Sequence, residues 1–188
     1  AAPTHDTAPG RTRAFVKIQE GCDDVCAFCI VPAVRGRERA RPIDDIVREA
    51  RALEAAGALE IVLTGTQPGA YGRDRDDGTS AARLLEALLA QTNLPRIRYS
   101  SILPQDVSDE FLRQWEDSRL CRHFHLALQS GSNAVLRRMR RRYDTAAYAS
   151  AVERIRAAVP GAAITTDLIA GFPAETAAEH GASMEFVR

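Results

Sequence analysis

The chain has 188 residues, 45% of them hydrophobic, and its 25 basic and 25 acidic side chains give a formal net charge of zero. That length suits one well-buried core rather than two domains, and the balanced charge leaves only local clusters to contact nucleic acid. No stretch approaches the roughly 20 apolar residues of a membrane span, so a soluble monomer is expected. The opening AAPTHDTAPG lacks the basic start and apolar core of a signal peptide. Residues 1–12 therefore read as a flexible leader ahead of a core domain at 13–188, and the expected compartment is a reducing cytoplasm, where clustered cysteines are more often metal ligands or catalysts than disulfides.

From Ala14 onward, short apolar or β-branched runs alternate with amphipathic stretches. The predicted order is strand 14–19, helix 43–56, strand 60–64, helix 81–91 and strand 96–101. A short helix at 109–116, strand 123–129, helices at 132–140 and 145–158, strand 162–170 and a helix from Ala174 follow. In 43–56, Ile43, Ile46, Val47, Ala50 and Leu53 share one face, with Pro42 before the start and Gly57 past the end. Successive βα units predict an α/β fold with a parallel sheet, because parallel strands need crossover connections. Polar residues recur on one face of the strands: Lys17 and Gln19, then His123, His125 and Gln129, then Thr165 and Asp167. A doubly covered parallel sheet would be apolar there. Either the sheet curves around a polar cavity, or these groups pair within a packed interior.

Three of the four cysteines, Cys22, Cys26 and Cys29, fall in the stretch GCDDVCAFC just after the first strand. C-x3-C-x2-C is tight enough for three thiolates to meet one metal centre. A structural zinc needs a fourth ligand, which would have to be Cys121, His123 or His125. A four-iron cluster held by three thiolates leaves one iron open to a small molecule.

With Phe28 ahead of the last cysteine, the motif resembles the signature of radical S-adenosylmethionine enzymes. Further segments resemble the methylthiotransferase family within that superfamily: KIQEGC, CIVPAVRGRERARP, HLALQSGS, LRRMRRRY and TTDLIAGFPAET. RYSSILPQDVSDEFL and the run from Arg137 to Pro173 are most similar to the branch acting on threonylcarbamoyladenosine in tRNA, ahead of the isopentenyladenosine and ribosomal-protein aspartate branches. Ala33, Ala127 and Ala174 depart from the family pattern. The resemblance implies an incomplete parallel (β/α) barrel, the partial TIM-barrel radical core. It also implies a 4Fe-4S cluster and S-adenosylmethionine as cofactors, a tRNA substrate, and an electron donor such as flavodoxin or ferredoxin. Complete members carry a second cluster domain before the core and an RNA-binding module after it, with a sixth barrel strand beyond Arg188. This chain is therefore expected to be a core that cleaves S-adenosylmethionine without completing methylthiolation. The rival from another class is a noncatalytic zinc-stabilised module that binds RNA.

By the same resemblance Cys22, Cys26 and Cys29 hold the cluster and Phe28 packs near the adenine. Thr64 and Gly65 stand where the backbone meets the methionine amino end, or else make a tight turn. Gln129 and Ser130, before a helix with Ser132 as its N-cap, suit a carboxylate or ribose hydroxyls, or simply cap. Arg141 matches an arginine the family keeps, suited to the methionine carboxylate. Asp167 points to the same mouth or pairs with an interior arginine such as Arg98. Lys17 and Gln19 are similarly placed, and His123 and His125 read as interior histidines. Arg137, Arg138, Arg140 and Arg142 form the densest basic patch, an RNA-phosphate contact or a solvated helix end.

Overall fold

A computed structural model describes residues 12–188; residues 1–11, most of the predicted leader, lie outside the described residues. β1 (Arg13–Glu20) alternates as its sequence requires: Ala14, Val16 and Ile18 are buried against helices, while Arg13, Phe15 and Lys17 face the other way. β3 (Glu60–Gly65) pairs in parallel with β1 and with β4 (Arg96–Tyr99). The two-residue β2 (Arg39–Ala40) adds antiparallel to β1. β5 (Ser101–Ile102), β6 (His123–Leu126) and β7 (Ala163–Thr165) form a second parallel ladder. The two ladders join where Ile97 N–H donates to Arg119 O at 2.8 Å and Cys121 N–H to Ile97 O at 2.9 Å. The result is an α/β partial barrel.

The helices are α1 (Val31–Arg35), α2 (Ile43–Ala55), α3 (Ala81–Gln91), α4 (Asp109–Arg113), α5 (Asn133–Arg138), α6 (Thr145–Ala158) and α7 (Ala177–Phe186). Ile46, Val47, Ala50 and Leu53 of α2 and Leu84, Leu85 and Leu88 of α3 pack on the strands' apolar face. Burying each of these leucines contributes about 1.5–3 kcal/mol. Side-chain oxygens of Ser80, Ser108, Asp144 and Thr176 accept N–H bonds at the starts of α3, α4, α6 and α7. A row of rings ties the two ladders: Tyr99 on β4 meets Phe111 at 5.1 Å, Phe111 meets Trp115 at 4.8 Å, and Trp115 meets Phe124 of β6 at 4.5 Å. Among the described residues no helix is long and apolar enough to cross a membrane.

Several expected boundaries move. The strand expected at 96–101 breaks at Ser100, whose N–H stays with Leu63 O at 3.1 Å while Ser101 passes to the second ladder. The strand expected at 162–170 ends at Thr165, because Thr166 Oγ1 takes the Leu128 N–H at 2.9 Å; pairing resumes only as a bridge between Gln129 and Leu168. β6 ends at Leu126 because the ladder lapses where Leu128 gives its N–H to that Thr166 hydroxyl, and α5 stops short of 140 because Arg140 lies at φ 58°. Lys17 and Gln19 do not share a face: the β1–β3 register shifts between them, and Gln19 is 1% exposed. The last helix begins at Ala177 rather than Ala174 because Ala174 stands at φ 63°.

Ala174 is one of the departures from the family pattern, and the left-handed region is costly for any residue with a Cβ. Ala174→Gly should stabilise the chain by about 0.5–1 kcal/mol, read as a higher urea midpoint at unchanged slope; a lower midpoint would mean that the methyl group packs favourably.

Candidate metal and cofactor site

The three clustered cysteines leave the end of β1 on the loop that separates it from α1. Gly21 enters that loop at φ 77°, and a Cβ there would lie 1.9 Å from Arg37 O, so only glycine lets the chain pass this close. Cys22 N–H then donates to Gly36 O at 3.1 Å, and Cys29 N–H closes a turn on Cys26 O at 3.1 Å. Cys22 and Cys26 are half-buried, Cys29 is exposed, and all are free thiols. Burial pushes the Cys22 thiol up to about 11, with the Asp24 and Glu38 carboxylates adding to it against an opposing hydrogen bond from Asp24 N–H. Among the described residues no three His, Cys, Asp or Glu side chains are gathered closely enough to hold a metal ion as they stand. Cys121 sits among Arg13, Glu60, Arg96 and Arg98 at the opposite ends of the strands, so it offers no fourth ligand to this loop.

Residues that are distant in sequence converge on the loop. Ala27 N–H donates to Met139 O at 3.1 Å, Arg141 Nη1 lies 3.1 Å from Cys26 Sγ, and Arg142 Nε lies 3.0 Å from Asp24 Oδ1. Arg141 Nε donates to Tyr143 OH at 3.0 Å, and that hydroxyl, buried and pushed up to about 12, reaches the carbonyls of Ala127 and Leu128. Phe28, 41% exposed, meets the edge of Phe172 with centroids 6.5 Å apart.

Thr64 and Gly65, with Thr66, line a cleft of about 280 Å³ with Lys17, Glu20 and Arg35. A Cβ on Gly65 would stand 2.6 Å from Gln19 O, and the buried Gln19 amide ties the two loops, donating to Gly21 O at 2.8 Å and accepting from Gln67 N–H at 2.9 Å. Larger clefts of about 380 and 450 Å³ lie beside α6, and neither borders a cysteine. Gln129 is half-buried beside the mouth. The Ser130 hydroxyl, 1% exposed, bonds Ser183 and the Ser132 N–H, and Ser132 itself makes no side-chain cap. Asp167 pairs with His125 Nε2 at 3.3 Å rather than with Arg98, which lies 2.9 Å from Glu60. His123 and His125 both reach Thr165 Oγ1 at 3.1 Å, and burial, with Arg98 nearby, lowers the His123 pKa.

The basic patch divides. Arg138 pairs with Glu179, Arg141 with Cys26 and Tyr143, and Arg142 with Asp24. Arg137, Arg140 and Arg142 are all exposed, and among the described residues only Arg142 of the three has an ion-pair partner, Asp24. Sequence reasoning missed Asp24, Glu38, Phe172 and Tyr143. Asp24 and Glu38 are charged residues below 9% exposure, and each lies inside a segment that carried the family resemblance.

The model of the Radical SAM superfamily matches residues 16–187. The chain is 48% identical over 180 residues to a protein named tRNA-2-methylthio-N(6)-dimethylallyladenosine synthase from Anaeromyxobacter dehalogenans, covering 95% of this chain and 38% of that protein. It is 42% identical over 179 residues to the threonylcarbamoyladenosine tRNA methylthiotransferase MtaB of Bacillus subtilis, covering 95% of this chain and 40% of that protein. Among solved structures, the cobalamin-dependent radical enzyme OxsB superposes with a TM-score of 0.73 at 16% identity, over 93% of this chain and 26% of that one. The methyltransferase TsrM of Kitasatospora setae gives 0.71 at 19%, over 91% and 33%; both likenesses speak to the fold alone.

The superfamily match implies a 4Fe-4S cluster and S-adenosylmethionine, and the donor set fits: three free, accessible thiols on one loop, with an aromatic pair and a cleft at the same end of the sheet. Cys22, Cys26 and Cys29 would hold the cluster, and the chemistry supplied there would be one-electron cleavage of the sulfonium. The chain's own residues place the thiols, and Arg141, with at least two of its five donors engaged by Tyr143 and Cys26, stands beside them. With the family model running from β1 into α7 over the same partial barrel that the solved radical enzymes share, the chain belongs to the radical S-adenosylmethionine superfamily.

Proposed function

We propose that this chain is the radical core of a tRNA methylthiotransferase that acts on an N6-modified adenosine. The observation that carries the reading is 48% identity over 180 residues to a protein named for that chemistry. The chain spans 38% of that relative's length, so sulfur insertion and tRNA capture are assigned to the complete protein. In this reading Cys22, Cys26 and Cys29 ligate the cluster, while Phe28 packs beside the adenine. Thr64, Gly65, Gln129 and Asp167 border the cofactor, with Ser130 acting through the backbone it holds. Arg141 turns toward the methionine carboxylate. Arg137 and Arg140 are the arginines of the patch best placed for tRNA phosphates, and a flavodoxin or ferredoxin supplies the electron.

On the substrate, two observations pull apart. RYSSILPQDVSDEFL and the segment from Arg137 to Pro173 resemble the threonylcarbamoyladenosine branch, whereas identity is higher to the dimethylallyladenosine synthase, 48% against 42%. The test is anaerobic turnover of the complete protein on tRNAs carrying either modification, read by mass spectrometry of the digested nucleosides. A methylthio adduct on one of them assigns the substrate. An adduct on neither, with 5′-deoxyadenosine still formed, refutes the tRNA assignment and turns attention to ribosomal protein.

A further inference from the structure

The loop that carries the three thiols is fastened by contacts from a part of the chain more than 100 residues away. The turn that follows α5 touches that loop at three successive points: through the Met139 carbonyl to Ala27 N–H, through Arg141 to Cys26 Sγ, and through Arg142 to Asp24. The turn is itself rigidly made. Arg140 is held at φ 58°, with its N–H on Arg137 O at 3.0 Å and the Arg141 N–H on Leu136 O at 2.9 Å. Tyr143 fastens its far end to the carbonyls after β6. Asp24 is a carboxylate with its side chain 9% exposed, and Arg142 is its salt-bridge partner. A charge so far removed from water is retained only when paired, and breaking the pair leaves it uncompensated.

We propose that the Met139–Tyr143 turn is the template for the cysteine loop, and that Asp24 and Arg142 are its positioning pair. This rests on the cluster reading of the three cysteines. It assigns Arg142, whose side chain stays 59% exposed, to fastening the loop from outside rather than to an RNA contact. Arg141 fixes Cys26 directly, Arg142 fixes the half of the loop between Cys22 and Cys26, and the Met139 carbonyl fixes the half leading to Cys29. Groups that orient metal ligands from behind alter metal retention without touching the metal.

The test compares Arg142→Gln, Asp24→Asn and the double variant with the parent chain, taking Arg48→Gln on α2 as a control for loss of an exposed ion pair. After anaerobic reconstitution, the rate at which a chelator bleaches the cluster is expected to rise about tenfold in each single variant. The double variant should lose less than the product of the two, as partners in one interaction do. The control should match the parent. In the metal-free chain, amide exchange at Ala27 should quicken in Arg142→Gln while exchange in the α2 and α3 core holds, a local readout that global destabilisation would not give. Parent rates of bleaching and exchange in the variants, with weakened tRNA binding by the complete protein, would overturn the proposal and return Arg142 to the RNA surface. If the parent takes up no iron, the cluster reading fails on its own, and exchange at Ala27 still decides whether Arg142 holds the loop.

Discussion

Cys26→Ala is expected to leave the anaerobically reconstituted chain colourless, against about four irons and a broad absorption near 400 nm in the parent. The argument is stoichiometric. Two remaining thiolates cannot hold three irons of the cluster, and among the described residues no three Cys, His, Asp or Glu side chains are gathered to hold a metal ion in their place. Burial also resists ionisation of Cys22, whose thiol is pushed up to about 11, so iron must displace its proton, and a site with two ligands gives less free energy for doing so. The fold should survive, because the Cys26 side chain is only half-buried and outside the apolar core. Iron and sulfide analysis beside the far-ultraviolet spectrum separates the two effects. A variant that kept the parent's iron content would refute the three-cysteine centre, and a parent that took up one zinc would revive the structural-metal alternative.

Gly21→Ala should damage both stability and metal binding. Its φ of 77° costs about 1–2 kcal/mol for a residue with a Cβ, and the new methyl group would lie 1.9 Å from Arg37 O, a backbone atom that cannot rotate away. Relieving such a clash by backbone movement typically costs another 1–3 kcal/mol, so a loss of about 2–5 kcal/mol is expected in urea unfolding. The segment that must shift carries the Gly36 carbonyl on which Cys22 N–H rests, so iron content should fall as well. A variant with the parent's midpoint and iron content would show that the two backbones separate readily here.

The sequence exposed what depends on short-range pattern. Helices α2, α3 and α6 stand within a residue of their expected ends, because each has an apolar stripe and a boundary marked by Pro42, Ser80 or Asp144. The cysteine spacing identified the loop for the same reason. Features set by distant partners were illegible. Alternation placed Gln19 beside Lys17, but a register shift turns it inward to hold Gly21 and Gln67. The run through Leu168 read as a long strand, yet the Thr166 hydroxyl replaces a ladder partner. Left-handed backbone at Gln129, Arg140 and Ala174 has no signal in residues that carry a Cβ. Four closely spaced arginines looked like one surface, and only the fold shows that Arg138 and Arg142 are engaged with Glu179 and Asp24.

The separation of 115 positions between Cys26 and Arg141 bears on the order of events during synthesis. At about 5–20 residues per second, the cysteines precede their fastening turn by roughly 6–23 seconds. Throughout that interval the thiols emerge as an open, unfastened segment that can be oxidised or capture a stray metal. Ordered loading is therefore expected only after translation has passed α5, when Arg141 can reach Cys26 and the Met139 carbonyl can reach Ala27.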